Sequence, residues 1–245
     1  MPEPERIWII GASDGIGAAL ARHWAGKGAR LILSSRSEDV LLELAADLGP
    51  QHQALRVDVA DRASLDAAAS VIAASGPLDR IIHMAALYDP GSVDALDPKI
   101  AAQIVTVNLT GSFHVAQVAA PLLRGGGQLA LCGSVAGYFG LPQGQIYSAT
   151  KAGVMNLAQS LRAELFGRID VRLISPGFVD TRLTRRNDFR MPAMVTPEAA
   201  AKAIAAGLDR RRFEIHFPRR FTFFVKLLSI LPYWASLPLT ARLAR

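Results

Sequence analysis

Four residues in this 245-residue chain could together carry out acid–base chemistry: Asn108, Ser134, Tyr147 and Lys151. Tyr147 and Lys151 are four positions apart, so on a helix both side chains lie on one face and can act on the same atom. A phenol titrates near ~10, and a neighbouring ammonium favours the phenolate, so we expect Lys151 to lower the pKa of Tyr147. The pair alone also fits an exposed helix face, so the rest of the sequence is needed to separate these two alternatives.

The elements that position these residues are predicted from apolar patterns along the first three quarters of the chain. Short β-branched or aliphatic runs predict strands, and longer periodic segments between them predict helices. This alternation is typical of an α/β protein with a Rossmann-like, doubly wound parallel sheet covered by helices on both faces. The predicted strands are 7–10, 30–34, 53–57, 80–84, 128–132 and 171–174, and the predicted helices lie near 15–27, 38–48, 62–75, 98–123, 144–166 and 197–209.

A glycine-rich turn follows the first predicted strand directly. Glycines let the backbone turn tightly and approach a pyrophosphate, and the N–H groups and dipole of the following helix attract anions. A simple strand-to-helix turn is the alternative, but the position after the first strand of an alternating chain favours a dinucleotide. The predicted contacts in this turn are Gly11, Ser13, Asp14, Gly15, Ile16 and Gly17.

The end of the second predicted strand indicates which dinucleotide binds. An acidic residue would be expected there for the ribose hydroxyls of NAD, whereas this chain has Ser35 followed by Arg36. A guanidinium matches phosphate geometry, so Arg36 predicts binding of NADP(H), with NAD(H) as the alternative. Arg36 also fits a surface cap of the next helix, and Asp14 argues against NADP because some NADP users place a base at that position.

Composition restricts the remaining classes of protein. The chain is 51% hydrophobic and 20% charged, which predicts one large folded domain with a substantial core. The single cysteine, Cys132, lies in an apolar run and predicts a buried, inert thiol. The five histidines lack metal-ligand spacing, so no metal is expected. The N-terminus has neither a basic leader nor a cleavable apolar segment, so the cytoplasm is the expected compartment.

Taken together, these motifs resemble those of the short-chain dehydrogenase/reductase superfamily, of the type with an Asn-Ser-Tyr-Lys tetrad, over residues 6–217. The resemblance implies a catalytic domain over residues 1–217 and a helical C-terminal extension over residues 218–245. The motifs occur in the family's order and spacing, as Gly11-x-x-x-Gly15-x-Gly17, Asp58-Val59, Asn108, Ser134, Tyr147-x-x-x-Lys151 and Pro176-Gly177-x-x-x-Thr181.

The resemblance implies a role for each residue of the tetrad. Tyr147 would exchange a proton with a carbonyl or hydroxyl oxygen while the nicotinamide exchanges a hydride with the carbon. Ser134 would hydrogen-bond the same oxygen. Lys151 would lower the pKa of Tyr147 and hold the nicotinamide ribose, and Asn108 would organise a water that passes protons from Lys151 to solvent. Asn108, Tyr147 and Lys151 therefore also belong to the expected cofactor site.

The resemblance also implies contacts with the rest of the dinucleotide. The adenine would lie beside the end of the third strand, and the nicotinamide amide and phosphates beside the end of the sixth. The implied contacts are Asp58 and Val59 for adenine, and Pro176, Gly177, Val179 and Thr181 for the nicotinamide amide and phosphates.

One segment departs from the family pattern. After the fourth strand the family usually has Asn-Asn-Ala-Gly, whereas this chain has His83-Met84-Ala85-Ala86. We expect His83 to make a substitute hydrogen bond, and Ala85 and Ala86 to lie beside the cofactor, where Ala86 adds a methyl group. The expected consequence is altered cofactor affinity and not lost catalysis.

The net charge of +6 is concentrated toward the C-terminus. Residues 182–245 hold 13 Lys and Arg against 4 Asp and Glu, whereas residues 1–181 hold 14 against 17. Segment 182–197 follows a strand end and is expected to set substrate specificity. It would either cover an apolar substrate with an anionic end or form a solvated lid with apolar anchors. Its arginines and large apolar residues are Arg182, Arg185, Arg186, Arg190, Leu183, Phe189, Met191 and Met194.

Segment 219–245 is both basic and apolar. On a helix, its polar residues Arg219, Thr222, Lys226 and Ser229 form a narrow stripe, so most of the remaining surface must be buried somewhere. Two alternatives stand, packing on the domain or a second subunit, and peripheral contact with the inner face of a membrane. Lys226 and the prolines disfavour a membrane span, and large apolar residues between the arginines disfavour nucleic acid.

The sequence thus predicts an NAD(P)(H)-dependent oxidoreductase, a carbonyl reductase or alcohol dehydrogenase that prefers NADP(H) over NAD(H). It would transfer a hydride between NADPH and the carbonyl or secondary alcohol of an apolar, lipid-like small molecule. The alternative is a non-catalytic dinucleotide-binding protein that docks to a membrane or partner through its basic C-terminus. By resemblance, a homodimer or homotetramer is expected.

Overall fold

The computed structural model describes residues 3–189 and 191–241. Its centre is a seven-stranded parallel sheet in the order β3-β2-β1-β4-β5-β6-β7. The order reverses between β1 and β4, which defines a Rossmann-like doubly wound sheet and confirms the predicted fold class. The strands are β1 (Arg6–Ile10), β2 (Arg30–Ser34), β3 (Gln53–Ala54), β4 (Leu78–His83), β5 (Leu123–Cys132), β6 (Asp170–Pro176) and β7 (Glu214–Phe217).

Helices cover both faces of the sheet and divide the core in two. Successive residues of β1 point to opposite faces, so Ile7 and Ile9 pack under α1, α2 and α7, while Trp8 and Ile10 pack under α3, α5 and α6. All four side chains are almost fully buried, which explains the continuous apolar run of this strand. The α-helices are α1 (Gly15–Ala25), α2 (Glu38–Leu48), α3 (Arg62–Ala73), α4 (Pro98–Val105), α5 (Gly111–Leu122), α6 (Gln145–Glu164), α7 (Pro197–Leu208), α8 (Arg219–Ser229) and α9 (Tyr233–Ala241).

Two predicted elements differ from the structure. The strand expected over 53–57 pairs regularly only over β3, although Leu55 and Val57 still donate to carbonyls of β2 and its following residue at 2.9 Å. The helix expected over 98–123 is interrupted, because a π-helical turn over Thr106–Thr110 separates α4 from α5. A single π-helical turn changes the apolar periodicity of 3.6 residues too little to be recognised, so the sequence did not predict this interruption.

The two helices after β7 are oriented opposite to the usual amphipathic arrangement. On α8, two residues of the predicted polar stripe face the protein, since Thr222 is fully buried with its Oγ1 2.6 Å from His216 Nδ1, and Lys226 forms an ion pair with Glu214 of β7. The other two, Arg219 and Ser229, are exposed. Three of its apolar side chains, Phe223, Phe224 and Leu227, are exposed, whereas Val225 is buried. In the described ranges, every helix is too short or too polar to cross a bilayer. The division of the chain into a catalytic domain over residues 1–217 and a C-terminal extension over residues 218–245 stays a prediction.

Candidate active site

The carboxyl ends of β1, β2, β4, β5 and β6 open into one groove with a volume of about 470 Å³. It lies where the strand order reverses, which is the usual ligand position in open parallel sheets, and its size is typical of small-molecule sites. Every residue predicted to bind cofactor or to act in catalysis lines this groove, with the exception of Asn108.

The glycine-rich turn forms one wall of the groove and requires its glycines. Gly11 has a φ of +89°, and a Cβ there would lie 2.5 Å from the backbone nitrogen of Ala85. A Cβ on Gly17 would lie 2.0 Å from the carbonyl oxygen of Gly11, so only glycine allows α1 to approach the strand this closely. Asp14 caps α1 by accepting a hydrogen bond from Gly15 N at 2.7 Å. The start of α1 therefore faces a space that suits a pyrophosphate.

The adenosine end of the groove carries an exposed cation. Arg36 lines the groove directly after β2, beside the buried Ser35, whose Oγ accepts a hydrogen bond from Ser37 N at 3.2 Å. Asp58 lines the same end, and its Oδ1 accepts from Ala60 N at 3.0 Å. The glycine cradle and the Arg36 guanidinium fit a dinucleotide with a 2′-phosphate.

Tyr147 and Lys151 lie one turn apart on α6 and turn toward the groove. Lys151 is only 2% exposed, and its Nζ donates a hydrogen bond to the carbonyl oxygen of Cys132, at the end of β5, at 2.8 Å. The same Nζ lies 5.6 Å from the centre of the Tyr147 ring. The alternative of an exposed helix face is therefore wrong for this pair.

The electrostatics of the pair differ from the sequence-based expectation. Burial raises the pKa of Tyr147 above its ordinary value, and a hydrogen bond with the Ser134 hydroxyl offsets only part of the rise. Burial also lowers the pKa of Lys151. The expected lowering of the Tyr147 pKa is thus wrong, because desolvation of the phenolate dominates at this position. Tyr147 stays protonated at neutral pH, and such a phenol can donate a proton.

Ser134 follows β5 and begins a short 3-10 turn, Val135–Gly137. Its Oγ accepts a hydrogen bond from Ala136 N at 3.1 Å, and its O–H can donate to the Tyr147 hydroxyl. The side chain is 9% exposed and lines the groove beside Tyr147. Ser134 and Tyr147 can therefore hydrogen-bond the same oxygen atom in the groove, and the exchange of a proton with Tyr147 stays a prediction.

Asn108 lies in the π-helical turn, behind the wall of the groove. Its Oδ1 accepts from Leu87 N at 2.7 Å, and its Nδ2 donates to Leu87 O at 2.9 Å and to Thr150 Oγ1 at 3.2 Å. The side chain is buried, and it joins the loop after β4 to the helix that carries Lys151. These contacts position the site, whereas the proposed water relay stays a prediction.

The departure at His83 has an unexpected outcome. The ring is buried, and within the described ranges neither of its nitrogens has a hydrogen-bond partner, so the expected substitute hydrogen bond is wrong. Burial and the nearby Lys151 ammonium lower the pKa of His83 to about 3, which keeps the ring neutral. The His83 ring therefore adds no second positive charge beside Lys151. Ala85 and Ala86 line the groove.

Tyr88, in the loop after β4, was not predicted as a site residue. Its ring centre lies 4.7 Å from that of Tyr147 at 62°, and its hydroxyl donates to Asn187 Oδ1 at 2.7 Å. Arg186 donates to the carbonyl oxygen of Tyr88 at 2.6 Å and pairs with Asp89 at 2.9 Å. No sequence motif marks an aromatic residue in an irregular loop, so the contacts of Tyr88 with α6 and with segment 182–197 could be found only from the structure.

The arginines of segment 182–197 are largely paired within the chain. Arg182 lies 3.5 Å from Asp14, Arg185 lies 2.9 Å from Asp180, and Arg186 pairs as described above. Arg190 lies outside the described residues. Such pairing favours the lid alternative over recognition of an anionic substrate end. The apolar anchors contact neighbouring aromatic residues, since Phe189 lies 5.9 Å from Phe178, which in turn lies 5.7 Å from Phe221 of α8.

The doubly wound sheet and the groove at its switch point define a dinucleotide-binding class of protein. The sequence model of the short chain dehydrogenase family matches residues 5–190. The chain belongs to this family and is therefore an oxidoreductase of the short-chain dehydrogenase type, which confirms the resemblance seen in the sequence.

Individual relatives match along most of their length. An uncharacterised oxidoreductase of Mycobacterium tuberculosis is 31% identical over 247 residues, covering 96% of this chain and 91% of the relative. A short-chain dehydrogenase of Burkholderia cenocepacia J2315, solved in complex with NADP, is 26% identical with a TM-score of 0.85 and covers 99% of this chain and 98% of its own. A short-chain dehydrogenase of Sphingobium yanoikuyae, solved in complex with NADPH, is 27% identical with a TM-score of 0.79 and covers 93% and 96%.

Proposed function

We propose that this chain is an NADP(H)-dependent carbonyl reductase or alcohol dehydrogenase for an apolar, lipid-like substrate. The observation that carries the proposal is the half-buried, protonated Tyr147 beside the Ser134 hydroxyl and the Lys151 ammonium. When bound, the nicotinamide supplies or accepts the hydride. Tyr147 donates the proton to the carbonyl oxygen in reduction and accepts it from the hydroxyl in oxidation, while Ser134 holds that oxygen in place.

Lys151 has donors left for the cofactor. An ammonium has three N–H donors, and the carbonyl oxygen of Cys132 takes one of them. The remaining donors can hold the nicotinamide ribose. Gly177, Val179 and Thr181 line the same part of the groove and would surround the nicotinamide amide and phosphates.

The choice of NADP(H) rests on the opposite end of the groove. Arg36 is exposed there and lies where an NAD-binding chain would be expected to have an acidic residue. Similar chains solved with NADP and with NADPH support the same choice. NAD(H) stays the alternative, since Asp14 occupies the turn where some NADP users have a base.

The apolar character of the substrate is inferred from the side chains at the catalytic end. Tyr88 covers Tyr147, and Leu183 lines the groove beside them. Behind this wall, the row of Phe189, Phe178 and Phe221 continues the apolar surface to α8. Arg182, Arg185 and Arg186 are each paired with an aspartate, which leaves them less available to bind an anionic group.

Oxidation of NADPH with a panel of aldehydes, ketones, quinones and acyl-chain ketones tests the proposal. We expect turnover with at least one class, higher kcat/KM for longer apolar substrates, and lower turnover with NADH. The absence of NADPH oxidation with every class, together with tight NADPH binding, would contradict the proposal and favour the non-catalytic binding protein.

A further inference from the structure

The exposed apolar surface of this protein is concentrated on its last two helices. Of the seventeen large hydrophobic side chains that are exposed among the described residues, eight lie in residues 223–239. Scattered exposed apolar residues are ordinary, but a contiguous set usually marks an interaction surface. We call this set the C-terminal apolar face, and it consists of Phe223, Phe224, Leu227, Ile230, Tyr233, Trp234, Leu237 and Leu239.

Thr222 and Lys226 of α8 and Ser236 and Thr240 of α9 face the protein, whereas Arg219, Arg220 and Ser229 are exposed, so the outward side of both helices is largely apolar. On α8, buried Thr222 contacts His216 and Lys226 pairs with Glu214. On α9, Ser236 and Thr240 are buried, and their hydroxyls donate to carbonyl oxygens of Pro232 and Leu237 within the same segment. Turning α8 around would bury more of its apolar side but would break its contacts with His216 and Glu214.

Two arginines share the outward side of α8 with the apolar residues. At 100° per residue, Arg219 lies between inward-facing Lys226 and the exposed Ile230 and Phe223, at the border of the apolar face, and Arg220 lies beside Leu227. Both arginines are exposed, and neither forms an ion pair with a carboxylate in the part of the chain that is described. Arg210–Arg212, just before β7, adds three more exposed cations.

We propose that residues 219–241 dock this protein along the surface of an anionic lipid bilayer, with the C-terminal apolar face in the interface and the arginines on lipid phosphates. Exposed tryptophan and tyrosine, 81% and 80% exposed at positions 234 and 233, are the side chains that prefer this boundary. Helices α8 and α9 have 11 and 9 residues, so they lie on the membrane and do not cross it.

Charge argues against a second copy of the chain as the occupant. A twofold contact through this face would bring its unpaired arginines toward an identical set, and like charges destabilise such a contact. An anionic bilayer supplies both the negative charge and the apolar medium. The occupant is therefore a lipid surface, and the inference does not depend on the substrate or on catalytic activity.

Flotation of the full chain with vesicles tests the proposal. The vesicles are phosphatidylcholine alone, or phosphatidylcholine mixed with phosphatidylglycerol. We expect flotation with the anionic vesicles only, and a loss of it at high salt. One variant, Arg219→Glu with Arg220→Glu, removes the charge, and we expect partitioning to fall by about fivefold or more per arginine. A second, Phe223→Ser with Trp234→Ser, removes apolar contacts and should also reduce flotation.

A matched control carries the same types of change elsewhere. Phe166 and Arg168 are exposed in the turn before β6, at the amino end of the sheet, so Phe166→Ser with Arg168→Glu should leave flotation unchanged. Thermal unfolding verifies that every variant is folded. The proposal is overturned if the wild type does not float, if flotation is independent of anionic lipid, or if the face variants float like the control. It is also overturned if the wild type forms an oligomer and does not float, and if Phe223→Ser with Trp234→Ser dissociates that oligomer. Such a result would assign the face to a second copy of the chain.

Discussion

At the scale of single residues, the environment of Tyr147 decides its chemistry. The spacing to Lys151 suggests an ammonium that favours the phenolate, yet burial raises the pKa of the phenol. Burial at the same time lowers the pKa of Lys151, so the low-dielectric surroundings disfavour both charged forms. A protonated tyrosine suits the reductive direction, because it already carries the proton that the substrate oxygen needs.

The direction of the Tyr147 pKa shift predicts how the rate depends on pH. Reduction uses the protonated phenol, so we expect its kcat/KM to stay level up to the ordinary tyrosine pKa of 10.0 and to fall only above it. Oxidation uses the phenolate and should rise with pH over the alkaline range. Initial rates in both directions check this, and a reductive rate that falls with an apparent pKa near neutrality would contradict it.

Arg36 carries the predicted preference for NADP(H). Changing Arg36→Asp removes a charge-assisted contact with the 2′-phosphate and provides an acceptor for the ribose hydroxyls of NAD. We expect the ratio of kcat/KM for NADPH over NADH to fall by roughly 10- to 100-fold. The matched change Arg168→Asp, at an exposed position away from the groove, should leave the ratio as it is. An unchanged ratio in the Arg36 variant would refute its assigned role.

At the scale of elements, α8 is held to the catalytic domain by polar contacts. Lys226 pairs with Glu214 of β7 and lies 5.2 Å from the centre of the Tyr138 ring, while the Tyr138 hydroxyl donates to Glu214. Tyr138 follows the short turn that begins at Ser134. The C-terminal helix is thus linked to the segment that carries a predicted catalytic side chain.

Lys226→Met tests this attachment. Burial acts to raise the pKa of Glu214, but hydrogen bonds from Lys226 and Tyr138 lower it below its ordinary 4.5. The Lys226–Glu214 ion pair therefore stabilises the fold at pH values above 4.5. This stabilisation is lost as the pH falls through the lowered pKa of Glu214. At neutral pH we expect the variant to lose about 1 kcal/mol of unfolding free energy, since the pair is partly exposed.

Denaturant unfolding of the variant and of Lys202→Met, an exposed lysine on α7, provides the measurement. The control should unfold like the wild type at every pH. The difference between the Lys226 variant and the wild type should shrink once Glu214 is protonated. A difference that persists unchanged at acid pH would contradict the ion pair as its cause.

Much of this architecture was predictable because local patterns and motif order agree. Buried parallel strands produce continuous apolar runs such as Ile7–Ile10. The glycines of the first turn are required because a Cβ at Gly11 or Gly17 would lie 2.0 to 2.5 Å from backbone atoms. Other features depend on partners distant in sequence. The sequence of α8 shows a polar stripe and an apolar side, but only the contacts with His216 and Glu214 explain why Thr222 and Lys226 of that stripe face the protein. The contact of Tyr88 with Tyr147 likewise depends on how the loop after β4 meets α6.

At the scale of the whole molecule, the protein carries two regions with different chemistry. The groove at the switch point holds the tyrosine, serine and lysine side chains, and the basic, apolar helices lie beside β7. Phe221, on the inward side of α8, contacts Phe178, which lies between the groove residues Gly177 and Val179. Helix α8 therefore packs against a segment that lines the groove, while its exposed apolar side chains point away from that contact.

The central claim is that Tyr147 is the proton donor in a working oxidoreductase, and Tyr147→Phe tests it most directly. We expect the variant to bind NADPH nearly as tightly as the wild type, by fluorescence titration, and to lose roughly 10²- to 10⁴-fold in turnover of the best carbonyl substrate. Tyr233→Phe, which removes a hydroxyl from an exposed ring on α9, should keep wild-type turnover on a soluble substrate. Turnover by Tyr147→Phe at the wild-type rate would contradict the account.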